Sequence, residues 1–233
     1  MITHFTLKEP DTNMANDASI KKSFYLKTWH LFLIILIGIW MNTWILQKSI
    51  MTREVYRNLL SAQLDAYRID DYLNFINKLS MLSYIFVPII LWVRLTFVTL
   101  LIQFPLIIQF IDISFKKIFR IVTFAQISIL TGEILRTLWL LRLKPDQINE
   151  ERLTLMPLAI TAFFDGAFYP KLLFRMLNRF NVFEIVWCLI LIKGLTSTGK
   201  LKRRDASLVV LIVWTLILVF QWALLLYLKK VNS

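Results

Sequence analysis

The chain has 233 residues, 58% of them hydrophobic, a formal charge of +12 and a mean hydropathy of +0.63. Soluble domains are roughly 45–50% apolar, so the composition argues against an ordinary water-soluble fold. A lone cysteine, Cys188, excludes an intrachain disulfide and a CxxC metal site.

The apolar residues fall in long runs, at 31–47, 82–111, 118–141, 182–192 and 206–228. A bilayer's hydrocarbon core is about 30 Å thick and takes roughly 20 apolar residues to cross as a helix. Transmembrane strands would alternate apolar with polar residues, whereas 208–219 is almost continuously apolar. With no water to satisfy the backbone, such runs must be helical. The expected fold is an all-α membrane protein, a bundle of five transmembrane helices with interfacial amphipathic segments.

In chain order, 1–28 reads as a polar tail and 29–233 as the membrane domain. Lys21, Lys22 and Lys27 precede a first span at 29–47, which no small-residue cleavage site follows, so it reads as retained rather than as a signal peptide. The polar stretch 52–78 has Val55, Leu59, Leu60, Gln63, Leu64 and Tyr67 near helical spacing. It predicts an amphipathic helix on the membrane surface, with a solvated helical hairpin tip as the alternative. Lys78 closes it, and a second span follows at 82–104, with Pro105 kinking the remainder. A short turn with Lys116 and Lys117 leads into the third span, 118–141. The segment 153–177 holds Pro157, Asp165 and Gly166. A weak span, a re-entrant piece and an interfacial helix all fit it. The interface is favoured, since an aspartate at mid-membrane costs about 2.5–3.5 kcal/mol. The fourth span, 181–195, is short and must borrow residues from 174–180 or sit in a thinned bilayer. A basic loop of Lys200, Lys202, Arg203 and Arg204 precedes the fifth span, 206–228.

Lysines and arginines beside spans meet anionic headgroups, so the positive charge points to a lipid bilayer as partner. Nucleic acid is not expected, because no basic stripe interleaved with aromatics lies outside the spans. With five spans the termini lie on opposite sides, and the lysine-plus-arginine counts are 12 and 13, nearly equal. The dense 200–204 cluster tips the choice to an inner N-terminus and makes this loop the basic inner face.

Two sequence stretches resemble the Yip-domain family of five-span membrane proteins, named for interaction with Rab-type GTPases. One is Ile113-Ser114-Phe115-Lys116-Lys117, followed by Ile121 and Phe124-Ala125. The other is Phe180-Asn181-Val182-Phe183-Glu184-Ile185-Val186-Trp187, then Leu191, Gly194-Leu195 and Lys202-Arg203-Arg204-Asp205-Ala206. Ala62-Gln63 between the first two spans also fits. The resemblance implies five helices, a cytoplasmic N-terminus and no catalytic chemistry. It points to the prokaryotic branch and so to a bacterial cytoplasmic membrane. Before the first span the chain has only Lys8-Glu9-Pro10-Asp11, without a tyrosine-glycine-proline element. That departure removes the ground for expecting small-GTPase binding.

Ionisable groups inside spans are the first places to look for function. Arg94 falls in span two, Glu133 and Arg136 in span three, and Glu184 towards the outer, wetter end of span four. Counted from the outer ends at 1.5 Å per residue, Arg94 and Glu133 are about 18 and 12 Å deep, which an arginine can bridge. Arg136 shares the Glu133 helix face. The group reads as a structural ion pair pinning two helices, with Arg136 snorkelling; a substrate or proton path is the alternative.

Enzyme chemistry lacks its parts. His4 and His30 cannot form a metal cluster. Cys188 has no histidine in its span, and Gly194 and Gly199 are isolated rather than a phosphate loop. No catalytic residue, metal or cofactor is expected. The leading expectation is a non-catalytic protein that organises or supports membrane components through helix contacts; a small-molecule or ion transporter built on Arg94, Glu133 and Arg136 is the alternative.

Overall fold

The computed structural model describes residues 28–60, 66–163 and 171–231. The tail before Thr28, the Ala62-Gln63 pair and the stretch 164–170 with Asp165 and Gly166 lie outside the described residues. The described chain is helical, without a named strand. Helix α1 is Thr28–Ile45, continued by a π-helical turn at Leu46–Ile50. Then come α2 (Arg53–Leu60), α3 (Ala66–Ile108), α4 (Phe115–Leu140), α5 (Glu150–Thr154), α6 (Lys171–Leu177), α7 (Val182–Thr196) and α8 (Arg203–Val231). Short 3-10 turns occupy Pro145–Gln147 and Ile160–Phe163.

Four segments are long and apolar enough to cross a bilayer: Thr28–Ile50, Tyr84–Ile108, Phe115–Leu140 and Arg203–Tyr227. The fifth expected span, 181–195, coincides with α7, but its 15 residues reach only about 22 Å. It borrows nothing from 174–180. The separate short helix α6 takes up 174–177, and the extended link after it pairs backwards: Ile160 N–H donates to Phe180 O (3.0 Å) and Val182 N–H to Leu158 O (3.4 Å). Asn181 then opens α7, its Oδ1 accepting from Glu184 N–H at 3.0 Å. A capping asparagine sets where a helix starts, and here it sets it deep in the bundle. Within 153–177, the described elements are single turns and a helix of 7 residues.

The second difference is α3. The segment expected to lie on the surface, 52–78, divides. Part of it is α2, and 66–78 is the beginning of the same 43-residue helix that later crosses the membrane. Lys78 does not end it, because a charge has no helix-breaking effect and no glycine or proline stands before Pro88. At 1.5 Å per residue α3 is about 65 Å long, so its first 18 residues extend about 27 Å beyond Tyr84. There Ile69 and Leu73 are buried, while Tyr72, Phe75 and Leu82 are exposed. The Tyr56 phenol of α2 is held above its ordinary pKa by burial, with the Tyr72 phenol adding to it.

Helix α3 ends in a Schellman motif: Ile111 N–H donates to Leu106 O and Phe110 N–H to Ile107 O. The left-handed position, usually glycine, is Phe110 (φ 55°), whose ring is almost wholly exposed.

α4 is the central helix and packs on α1, α3 and α7, while α8 packs on α3 and α7. The core between them is Ile35, Leu95, Ile102, Val122, Ala125, Leu191 and Val209, with their neighbours. Trp40 Nε1 donates to Tyr84 O (3.2 Å) and Tyr84 Oη to Gln47 Oε1 (2.9 Å), so the C-terminal half of α1 lies near the far end of α3's span. Thr28, the α3–α4 turn and the α7–α8 loop therefore share one end. At the other end Ile50, Val55, Leu140 and Ile148 form a small second core.

The α4–α7 contact is close because Gly132 has no side chain. A Cβ there would lie 2.7 Å from the Phe183 ring and 3.2 Å from its Cβ. At Gly38 the clash is with the tip of Leu130 alone, 2.6 Å from Cδ2. Gly132→Ala is expected to destabilise the protein by about 1–3 kcal/mol, as overpacking does, and Gly38→Ala by less. Thermal melts of both variants in detergent check the order; equal melting temperatures would contradict it.

Candidate functional site

Charged side chains from three helices meet in the bundle. Glu133 and Arg136 lie on α4, one turn apart, and form an ion pair of 2.6 Å with side chains 34% and 21% exposed. Arg94 of α3 has electrostatic neighbours in Glu184, Arg179 and Glu133, Glu184 ranking above Glu133. Among the described residues, however, Arg94 makes no hydrogen bond or ion pair. The expected direct Arg94–Glu133 bridge is not formed. Arg136 takes Glu133 instead, since an i,i+3 pair on one helix face needs no interhelical fit.

Glu184, expected to be wet, is only 16% exposed. It stands in the first turn of α7, where a carboxylate suits the helix dipole. Trp214 Nε1 of α8 donates to it at 3.4 Å, and Arg179 Nη1 lies 4.0 Å away. Phe180 meets the Trp214 ring edge-on, with centroids 5.3 Å apart. Sequence reasoning missed Arg179 and Trp214 as members of this group. The Asn181-x-x-Glu184 spacing resembles a capping box and could have placed Glu184 at a helix start inside the bundle.

A polar hub supports the start of α7. Buried Asn178 accepts from Met156 N–H (2.8 Å) and Thr161 Oγ1 (3.0 Å), and its amide donates to Thr154 O. Ser128 Oγ of α4 donates to Phe183 O at 2.8 Å. Away from water, such bonds are how non-helical backbone is tolerated at membrane depth. Arg136 Nε, Thr96 Oγ1 and Thr137 Oγ1 are buried without a hydrogen-bond partner among the described residues.

The basic loop lies at the other end of α7. Lys200, Lys202, Arg203 and Arg204 are all exposed. Lys200 Nζ donates to the Asp112 backbone carbonyl and lies 3.9 Å from Asp112 Oδ2. This ties the α7–α8 loop to the α3–α4 turn and brings Lys116 and Lys117 to the same face. Both cationic pairs open helices, α4 and α8, where the dipole disfavours them; their placement serves the surface rather than the helices.

Long apolar helices with apolar exteriors, and charges gathered inside and at the ends, decide the class. The chain is an integral, multi-pass membrane protein. Compared with protein-family models, curated proteins and solved structures, it matches none. Among the described residues no group of three histidine, cysteine, aspartate or glutamate side chains could hold a metal ion, and Cys188 is a free, half-buried thiol.

The Glu133–Arg136 pair generates a coupling test. Arg136→Gln strands a carboxylate and is expected to cost about 1–3 kcal/mol. Adding Glu133→Gln should restore most of that loss, because the pair need only be removed together. Melting temperatures of the two singles and the double in detergent decide it; strictly additive losses would contradict the coupling.

Proposed function

We propose that the chain is a non-catalytic, five-pass membrane protein of Yip-domain type, which organises other membrane components through helix contacts. The observation that carries this reading is the extension of α3. Tyr72 and Phe75 are 40% and 59% exposed on a helix that runs on past its span, about 13–18 Å before Tyr84 at 1.5 Å per residue. Apolar side chains left uncovered outside the hydrocarbon mark contact sites. In this reading α7 counts as the fifth pass, its shortness met by local thinning of the bilayer. The basic end, with Lys116, Lys117, Lys200, Lys202, Arg203 and Arg204 against Asp112 and Asp205, faces anionic headgroups of the cytoplasmic leaflet of a bacterial membrane.

A second reading, transport of a small molecule or ion, is favoured by one feature. α7 starts part-way through the bundle beside Arg94, Arg179 and Glu184, and broken helices at membrane depth frequently line substrate sites.

A photo-crosslinking residue at position 75, in native membranes, separates them. The organising role predicts a discrete protein adduct at position 75, lost on Tyr72→Glu, and only lipid adducts from position 90 on the span. Lipid or no adducts at both positions, together with a solute flux that depends on Arg94, would overturn it in favour of transport.

A further inference from the structure

Two arginines act electrostatically on Glu184: Arg179, whose Nη1 lies 4.0 Å from its carboxylate, and Arg94 of α3. Glu133 is already taken by Arg136 at 2.6 Å. Among the described residues, two guanidiniums then stand against one carboxylate around Glu184, a net charge of +1, and beyond Glu184, Arg179 and Glu133 no described charged side chain acts on Arg94. The unneutralised charge is open to the outside. Arg94 is exposed, as is half of the Arg179 side chain. The neighbours Trp92, Val93 and Phe97 on α3 are exposed apolar residues of the span, the face that meets acyl chains.

Depth says what could reach it. Arg94 is 14 residues from Ile108, about 21 Å along the helix, which leaves about 9 Å of a 30 Å core. Side chains lean towards their own helix N-terminus, so Arg94 leans away from the basic end and towards the opposite leaflet's headgroups. The N-terminus of α7 is at similar depth, since Glu184 lies 12 residues, about 18 Å, from Thr196.

We propose that Arg94 and Arg179 hold one phosphate-class monoanion, recessed into the leaflet opposite the basic end and neutralising the charge that Glu184 leaves over. A phosphodiester fits the guanidinium geometry, offering paired oxygens to planar donors. Its source is a phospholipid headgroup or free phosphate. The site is separate from the α3 extension that carries the organising role, so either can fail alone.

The test is native mass spectrometry of the full chain, purified and delipidated in detergent. It is titrated with phosphatidylglycerol, with a phosphate-free diglycosyl lipid of the same chains, and with inorganic phosphate as competitor. One phosphatidylglycerol should bind in preference to the glycolipid. Arg94→Gln or Arg179→Gln should each weaken it about tenfold, the loss of one charge-assisted contact. Glu184→Gln removes the competing carboxylate and should tighten binding, a direction that misfolding cannot produce. Competition by inorganic phosphate assigns the site to free phosphate; its failure to compete assigns it to the headgroup. No preference for the phosphate-bearing lipid and no phosphate binding, or a Glu184→Gln variant as weak as Arg94→Gln, would overturn the proposal.

Discussion

Every backbone amide and carbonyl inside hydrocarbon must find its partner within the protein, and this fold follows from that requirement. It makes the long apolar runs helices and lets them be apolar on all sides. The same helices that bury Leu95 and Ile102 inwards leave Ile85, Ile90 and Phe104 more than 60% exposed outwards. In water that surface would drive aggregation; in lipid it costs nothing. Packing between the helices then rests on close approach, as at Gly132 against Phe183, and on single polar bonds such as Ser128 to Phe183 O.

Where the chain departs from regular helix at depth, it supplies partners. The link into α7 is extended, yet Val182 N–H donates to the Leu158 carbonyl, the Phe180 carbonyl accepts from Ile160 N–H, and Asn178 gathers three further groups. That arrangement ends the preceding backbone early enough for α7 to start inside the bundle. A short α7 in turn brings Glu184 to the level of Arg94 and Trp214. Backbone satisfaction, helix length and the charge cluster are thus one chain of cause.

Much of this was legible in the sequence, because a run of twenty apolar residues has few other solutions. The positions of α1, α4 and α8 follow from their runs to within about three residues at each end, and the shared face of Glu133 and Arg136 follows from their spacing. The extent of α3 was not legible. Lys78 marks a change of solvent, and a helix crosses such a boundary without any local signal. The partner of Arg94 was not legible either. Counting residues from helix ends gives depth but not rotation about the axis, so Glu133 looked reachable while Glu184 faces Arg94 more strongly. Arg179 and Trp214 come from elements whose approach depends on where α7 begins.

The account stands on acyl chains, not water, covering the exposed apolar face of α3. Spin labels placed singly at positions 75, 90 and 104 in a Cys188→Ala background, reconstituted into liposomes, report this directly. Positions 90 and 104 should collide readily with oxygen and hardly with a water-soluble nickel chelate, and position 75 should show the reverse. Nickel access at 90 and 104 equal to that at 75 would contradict the account.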